Sequence, residues 1–301
     1  ETLKDHPALF AYALIDEPSA TVGDRDRDRM LRESYIAVRE IDTHHPTYLT
    51  DFMTMSSTAR YSDIFNMDNY TVHNYGPHTK EVIEATGNQK PIYTLLKAYG
   101  TTLPAVPSID NVRYMAYDSF MEGAKAIGYY SIGSTAPGVY LPDTALGAGI
   151  KEFYRSGELG DAYKHFVHGQ YPPLNQYRGE EIRWSSYFKD DDIYVVLLNR
   201  SDAARNVEIP LSNPEETVFV SGFDARVTAG GSGSVTGVGS TLAVTVPARH
   251  ARVYRVTPKI LSATQNAGFE EKTPEGDLAH WSGIAGVTAN SADKKGGSYS
   301  M

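Results

Sequence analysis

Cysteine is absent from the 301 residues, which excludes a disulfide framework and any thiolate metal site. Tryptophan is scarce, with two residues against 21 tyrosines, so aromatic contacts to a ligand fall mainly to tyrosine. No apolar run reaches membrane-spanning length, and no secretory signal pattern is visible at the start. Positive charge is in deficit: the formal net charge is −9, which argues against a nucleic-acid or anionic-membrane partner. The densest charge run, Gly23–Arg29, alternates in sign and reads as a solvated loop entering a helix.

The stretch that organises the rest is Leu9–Pro18, LFAYALIDEP. Seven apolar residues end in two carboxylates and a proline, the pattern of a strand buried on both faces. Pro18 cannot donate to a ladder and ends the strand. Asp16 and Glu17 therefore stand at a strand's C-terminal end, where carboxylates are costly unless used or paired.

Further strands are expected at Pro46–Phe52, Ile64–Val72, Pro91–Leu96 and Ala126–Ile132. Between them, Asp28–Asp42 carries Leu31, Tyr35, Val38 and Ile41 on one helical face. Thr79–Thr86 reads as a helix closed by Gly87, and Asp110–Lys125 as an amphipathic helix capped by Ser108. This alternation predicts parallel βα units. Pro137–Tyr177 reads as loop-rich with helical patches. Strands without helices follow at Ile193–Leu198, Asn206–Ile209, Val218–Ser221, Leu242–Val246 and Ala251–Val256. Gly230–Ser240 reads as a flexible hairpin tip. The pattern indicates an antiparallel sandwich. Three domains are expected, at 1–179, 180–257 and 258–301. Glu1 reads as an interior point of a longer protein, because the chain lacks an initial methionine and starts just ahead of a strand.

In this order, HPALFAYALIDEP, REIDTHHPTYLTDF, IFNMDNYTV, PIYTLLKAYG and GAKAIGYYS, followed by a sandwich, resemble the second half of a glycoside hydrolase with a (β/α)8 barrel. The likeness covers roughly residues 5–257 and is to enzymes whose fourth strand ends in Glu-Pro. It implies an α/β plus all-β fold: five C-terminal βα units, an antiparallel β-sandwich, and, from QNAGFEE to GGSYSM, the start of a jelly-roll carbohydrate-binding module. Further residues or another chain would complete the barrel. The resemblance implies a carbohydrate substrate, an extracellular or cell-surface location and no cofactor. Glu270 and Glu271 would be candidates for a structural calcium site in the terminal module.

Glycoside hydrolysis uses two carboxyl groups flanking one bond. The resemblance places Glu17 as general acid/base, with Asp16, where Asn is usual, orienting it or touching a sugar hydroxyl. The second carboxyl is expected on the seventh strand, yet Thr94–Gly100 has no acid and offers Lys97 or Tyr99. Asp68 is the best replacement and Asp51 the next. Asp51 has an alternative as a helix cap, and Asp68 as a carboxylate bonding backbone in the turn before Asn69. Tyr70, His73, Tyr75, Tyr99, Tyr129 and Tyr130 lie at or past strand ends as sugar contacts, although Tyr129 and Tyr130 must point opposite ways. His44 and His45 read as loop residues, not metal ligands. A glycan-binding or scaffold protein that has lost the seventh-strand carboxylate is the competing reading, favoured by Lys97.

Overall fold

The structure, a computed structural model, describes residues 3–52, 55–100, 106–130, 141–213 and 218–262. It divides into two compact units, the first essentially 1–170 and the second beginning at Tyr171. The segment expected to start a jelly-roll, with Glu270 and Glu271, lies outside the described residues.

The first unit holds five strands: β1 (Tyr12–Asp16), β2 (Thr47–Asp51), β3 (Ile64–Met67), β4 (Ile92–Lys97) and β5 (Ala126–Tyr130). They form one sheet in chain order, and each neighbouring pair is parallel. Sequential parallel strands with right-handed crossovers place their helices on one face. The main helices are α1 (Pro18–Thr21), α2 (Asp24–Ile41), α3 (Met55–Thr58), α4 (Tyr75–Ala85), α5 (Ile109–Glu122), α6 (Ala145–Arg155) and α7 (Glu158–Ala162). The charge run Gly23–Arg29 is helical from Asp24. Ser108 caps α5 in a reciprocal capping box with Asn111. Gly87 follows α4 with φ +60°.

The period of two is visible in the packing. On β4, Ile92, Thr94 and Leu96 are buried, while Tyr93, Leu95 and Lys97 are partly exposed. The partly exposed set shares the inner face with Ala13, Tyr48, Ile64 and Ala126. A concave hollow of about 930 Å³ lies against it. β1 is not buried on both faces, as its apolar run suggests: Ala13 is exposed, and Leu14 and Ile15 only half-buried. Among the described residues it is an edge strand with a single neighbour.

The second unit contains β6 (Pro173–Arg178), β7 (Ile182–Lys189), β8 (Asp192–Asn199), β9 (Arg205–Pro210), β10 (Val218–Ala229), β11 (Ser234–Val238), β12 (Thr241–Val246) and β13 (His250–Ser262). Six strands make one sheet in the order β11-β10-β13-β8-β7-β6, and β12 pairs with β9. Trp184, Ile193, Leu197, Ile209, Phe223 and Val256 are among the residues of its core. β6 falls in the stretch that reads as loop-rich. The glycine- and serine-rich hairpin tip contains β11, which pairs with β10 from Gly222↔Val238 to Arg226↔Ser234.

Candidate active site

Parity decides which strand-end residues meet. On β1, Tyr12 pairs with Thr47, Ala13 with Tyr48 and Asp16 with Thr50, so Leu14 and Ile15 stand opposite Leu49 alone. This bulge turns Asp16 onto the same face as Ala13, re-aiming the strand's last side chain. Glu17 follows in the left-handed region, φ 46° and ψ 55°, a conformation that costs an ordinary residue about 1–2 kcal/mol. The neighbouring backbone holds it there. Its N–H donates to Thr50 O at 3.0 Å, and its carbonyl accepts from Ala20 N at 3.0 Å and Thr21 N at 3.2 Å. Pro18 then opens α1 at a position where a missing N–H is tolerated.

The turn sets the Glu17 carboxyl beside Asp68, near enough to act on its titration, and Asp68 continues the inner-face series Ile64, Asn66, Asp68. Asp68 is 2% exposed. Two neighbouring carboxyls, one of them buried, cannot both ionise cheaply. Burial, then the hydrogen bond and charge of Glu17, push Asp68 up to about 8, against a hydrogen bond from Tyr70 that pulls the other way. That bond runs from Tyr70 Oη to Asp68 Oδ2 at 3.3 Å. Asp16, exposed at the rim, is raised by what burial it has and by the Glu17 charge. Asp68 is thereby held toward its neutral form near pH 7.

Three tyrosines surround the pair. Tyr70 stacks on Tyr130 with centroids 5.3 Å apart and meets Tyr99 edge-on at 5.3 Å; Tyr99 and Tyr130 are edge-on at 5.6 Å. Burial, then the neighbouring Tyr130 and the charges of Glu17 and Asp68, raise the Tyr99 phenol. Tyr130 remains 48% exposed. The Lys97 ammonium lies over the Tyr99 ring, 5.3 Å from its centroid.

The structure thus brings together Glu17, Asp68, Tyr70 and Tyr99, with Asp16 at the rim. Other expected site residues stand apart. Asp51 falls on the outer face, paired with Met67, and is fully buried. It accepts hydrogen bonds from Ser19 Oγ, from Thr58 Oγ1 at 2.8 Å and from Phe52 N at 2.9 Å, tying α1 and α3 to the end of β2. Tyr75 is fully buried; its hydroxyl donates to Leu95 O at 3.1 Å and accepts from Lys97 N at 2.8 Å, fastening α4 to β4. Tyr129 points outward, edge-on to Tyr154 at 6.2 Å. His73 packs edge-on against Tyr114 at 5.4 Å. His44 and His45 wrap Asp42 in a turn ahead of β2: both backbone N–H groups donate to its Oδ1, and the His45 ring meets Oδ2 at 2.7 Å. Burial pushes Asp42 up, but these bonds outweigh it and hold the carboxyl well below the usual range.

Asn66 has no place among the expected residues, although it belongs to the same inner-face series as Asp68. Its Nδ2 donates to Thr50 Oγ1 at 2.9 Å, and its buried Oδ1 has no hydrogen-bond partner among the described residues. Parity from Asp68 is the signal that finds it. Among the described residues, no group of three or more histidines and carboxylates is placed to hold a metal ion, and no helix is long and apolar enough to cross a membrane.

No family model matches the sequence, and no curated protein matches it. Solved structures do. An arabinose-bound GH51 α-L-arabinofuranosidase aligns with 85% of this chain and 47% of its own, at a TM-score of 0.52 and 12% identity. A GH30 endoxylanase from Clostridium papyrosolvens C71 aligns with 82% of this chain and 65% of its own, at 0.49 and 14%. The chain thus spans roughly half to two thirds of the length of these structures. At such identities the likeness is one of fold, a parallel βα sheet followed by antiparallel sheets, shared with glycoside hydrolases.

Proposed function

We propose that this chain carries one wall of a glycoside hydrolase active site, cleaving O-glycosyl bonds in an oligo- or polysaccharide with Glu17 as general acid/base. What supports the reading most is the meeting of Glu17 and Asp68 beside Tyr70, Tyr99 and Tyr130 at the C-terminal end of a parallel sheet, the end where barrel enzymes do chemistry. A general acid must hold a proton at working pH, and the carboxyl raised to about 8 beside Glu17 is that of Asp68. Asp68 is buried and Glu17 only partly so, so Glu17 is the member able to reach a glycosidic oxygen.

Opposed carboxyls in glycosidases stand about 5–5.5 Å apart when retaining and about 6.5–9.5 Å when inverting. In this reading Asp68 is the proton-sharing partner of Glu17, on one side of the bond, and Asp51 is structural. The five strands are the fourth to eighth of a barrel whose remaining wall comes from further residues or another chain. Polysaccharide substrates favour an extracellular or cell-surface setting, and the hydrolysis calls for no cofactor.

The test is hydrolysis of a polysaccharide panel by wild type and Glu17→Gln. On glycans with poor leaving groups the variant should lose roughly 10²–10⁴-fold, and on aryl glycosides with activated phenolates much less. Near-wild-type turnover of a natural glycan by Glu17→Gln would remove Glu17 from the mechanism. Lys97 at the end of β4, where a carboxylate is expected, favours a second reading, a glycan-binding scaffold. Binding without turnover across the panel would establish that one instead.

A further inference from the structure

Lys97 is the residue at this end of the sheet for which hydrolysis supplies no role. It closes β4 on the inner face, opposite Tyr130 in the ladder, and is half-buried. A lysine taken partly out of water ordinarily finds a carboxylate. Asp16, Glu17 and Asp68 stand at the same end, yet among the described residues Lys97 forms no ion pair, and its ammonium rests on the Tyr99 ring. Its backbone N–H is fixed by Tyr75 Oη, so strand and ring together hold the cation in place. On a chain of net charge −9, beside three carboxyls, an anionic ligand would be repelled unless a cation were provided locally.

We propose that Lys97, with the Tyr99 and Tyr130 rings, forms a subsite for the anionic group of an acidic sugar, a carboxylate or sulfate carried on a pyranose ring. The proposal rests on the glycan reading above and deepens it. The ammonium donates to the anionic oxygens as charge-assisted hydrogen bonds. The sugar ring packs on the exposed Tyr130, which presents an apolar face with a polar edge. A neutral sugar gains nothing from the ammonium that a hydroxyl would not give, and a free inorganic anion makes no use of the tyrosines.

The experiment is calorimetric titration of the full chain with three oligosaccharide series on matched backbones: neutral, uronate-bearing and sulfated. One acidic series should bind at least about tenfold tighter than the neutral one, and about 0.5 M salt should shrink that margin. Lys97→Gln should bring the ratio close to one, and Lys97→Arg should keep most of it. Which acidic series responds identifies carboxylate or sulfate. A ratio unmoved by Lys97→Gln, or neutral glycans binding as tightly as acidic ones, would overturn the subsite and leave the glycan reading standing. Failure of all three series to bind protein that is folded by circular dichroism would overturn both.

Discussion

Asp68 is buried, stands beside a second carboxyl and accepts a single hydroxyl hydrogen bond, from Tyr70. Its folded value of about 8 lies above the value near 4 of an unfolded chain. Between the two, the native state binds a proton that the unfolded state does not, so stability falls as pH rises through that window. Asp68→Asn removes this penalty. The variant should melt higher than wild type at pH 7–8, the difference closing as pH approaches about 4, while turnover falls because Glu17 loses its proton-sharing partner. Melting temperatures from pH 4 to 9 check it, and a difference independent of pH would refute the shared proton. Sequence alone points to Asp68, Tyr70 and Tyr99, since each follows an apolar run in the same chain direction. Sequence alone leaves Asp51 a candidate beside Asp68, and the register that sets Asp51 opposite Met67 separates them. The orientation of Asp16 is not legible in that way, because a bulge exists only in relation to the partner strand: two β1 residues face one on β2.

Elements whose ends are fixed by their own residues are the ones the sequence makes legible. Ser108 with Asn111 starts α5, and Gly87 follows the end of α4. The start of α4 is different. It lies at Tyr75, four residues ahead of the expected Thr79, because Asp118 on α5 accepts the Gly76 N–H at 2.7 Å and so satisfies a helix-end donor from a distant part of the chain. β11 escapes notice for a related reason. Gly237 weakens the local strand signal, yet the Phe223 ring of β10 lies where its Cβ would be, so tertiary packing selects the glycine. Gly76 is under the same constraint: a Cβ there would press into the Asp118 carboxyl. Gly76→Ala should destabilise by about 1–3 kcal/mol, the usual cost of overpacking, although alanine favours helices elsewhere. Denaturant unfolding measures it, and a neutral or stabilising result would show that Asp118 does not cap α4. The companion Gly76→Ala/Asp118→Ala should recover part of the loss, since the clash disappears with the carboxylate.

Across the whole molecule, strands alternate with helices up to Ala162 and strands alone run from Pro173, and the chain divides into two units, the second beginning at Tyr171. The units differ in how completely they enclose their apolar residues. In the second, Trp184, Ile193, Leu197, Phe223 and Val256 pack in a core made by its own strands. In the first, Ala13, Ile15, Ile64, Tyr93 and Leu95 border an open hollow of about 930 Å³, and Phe10 is 74% exposed. Parallel sheets are stable when both faces are covered, and β1 and β5 end the sheet with no further strand beside them among the described residues. Residues 171–262 produced alone should therefore be monomeric, with one cooperative unfolding transition. Residues 1–170 alone should bind a hydrophobic dye and associate with increasing concentration. Light scattering and dye fluorescence read both outcomes. A monomeric, dye-silent 1–170 would mean that the inner face is covered from within the unit, and the barrel reading would lose its reason for a further wall. If association is seen, Ile15→Lys separates its causes. A charge placed beside the hollow and on the β1 edge should suppress both dye binding and association, whereas association through the outer, helical face would be indifferent to it.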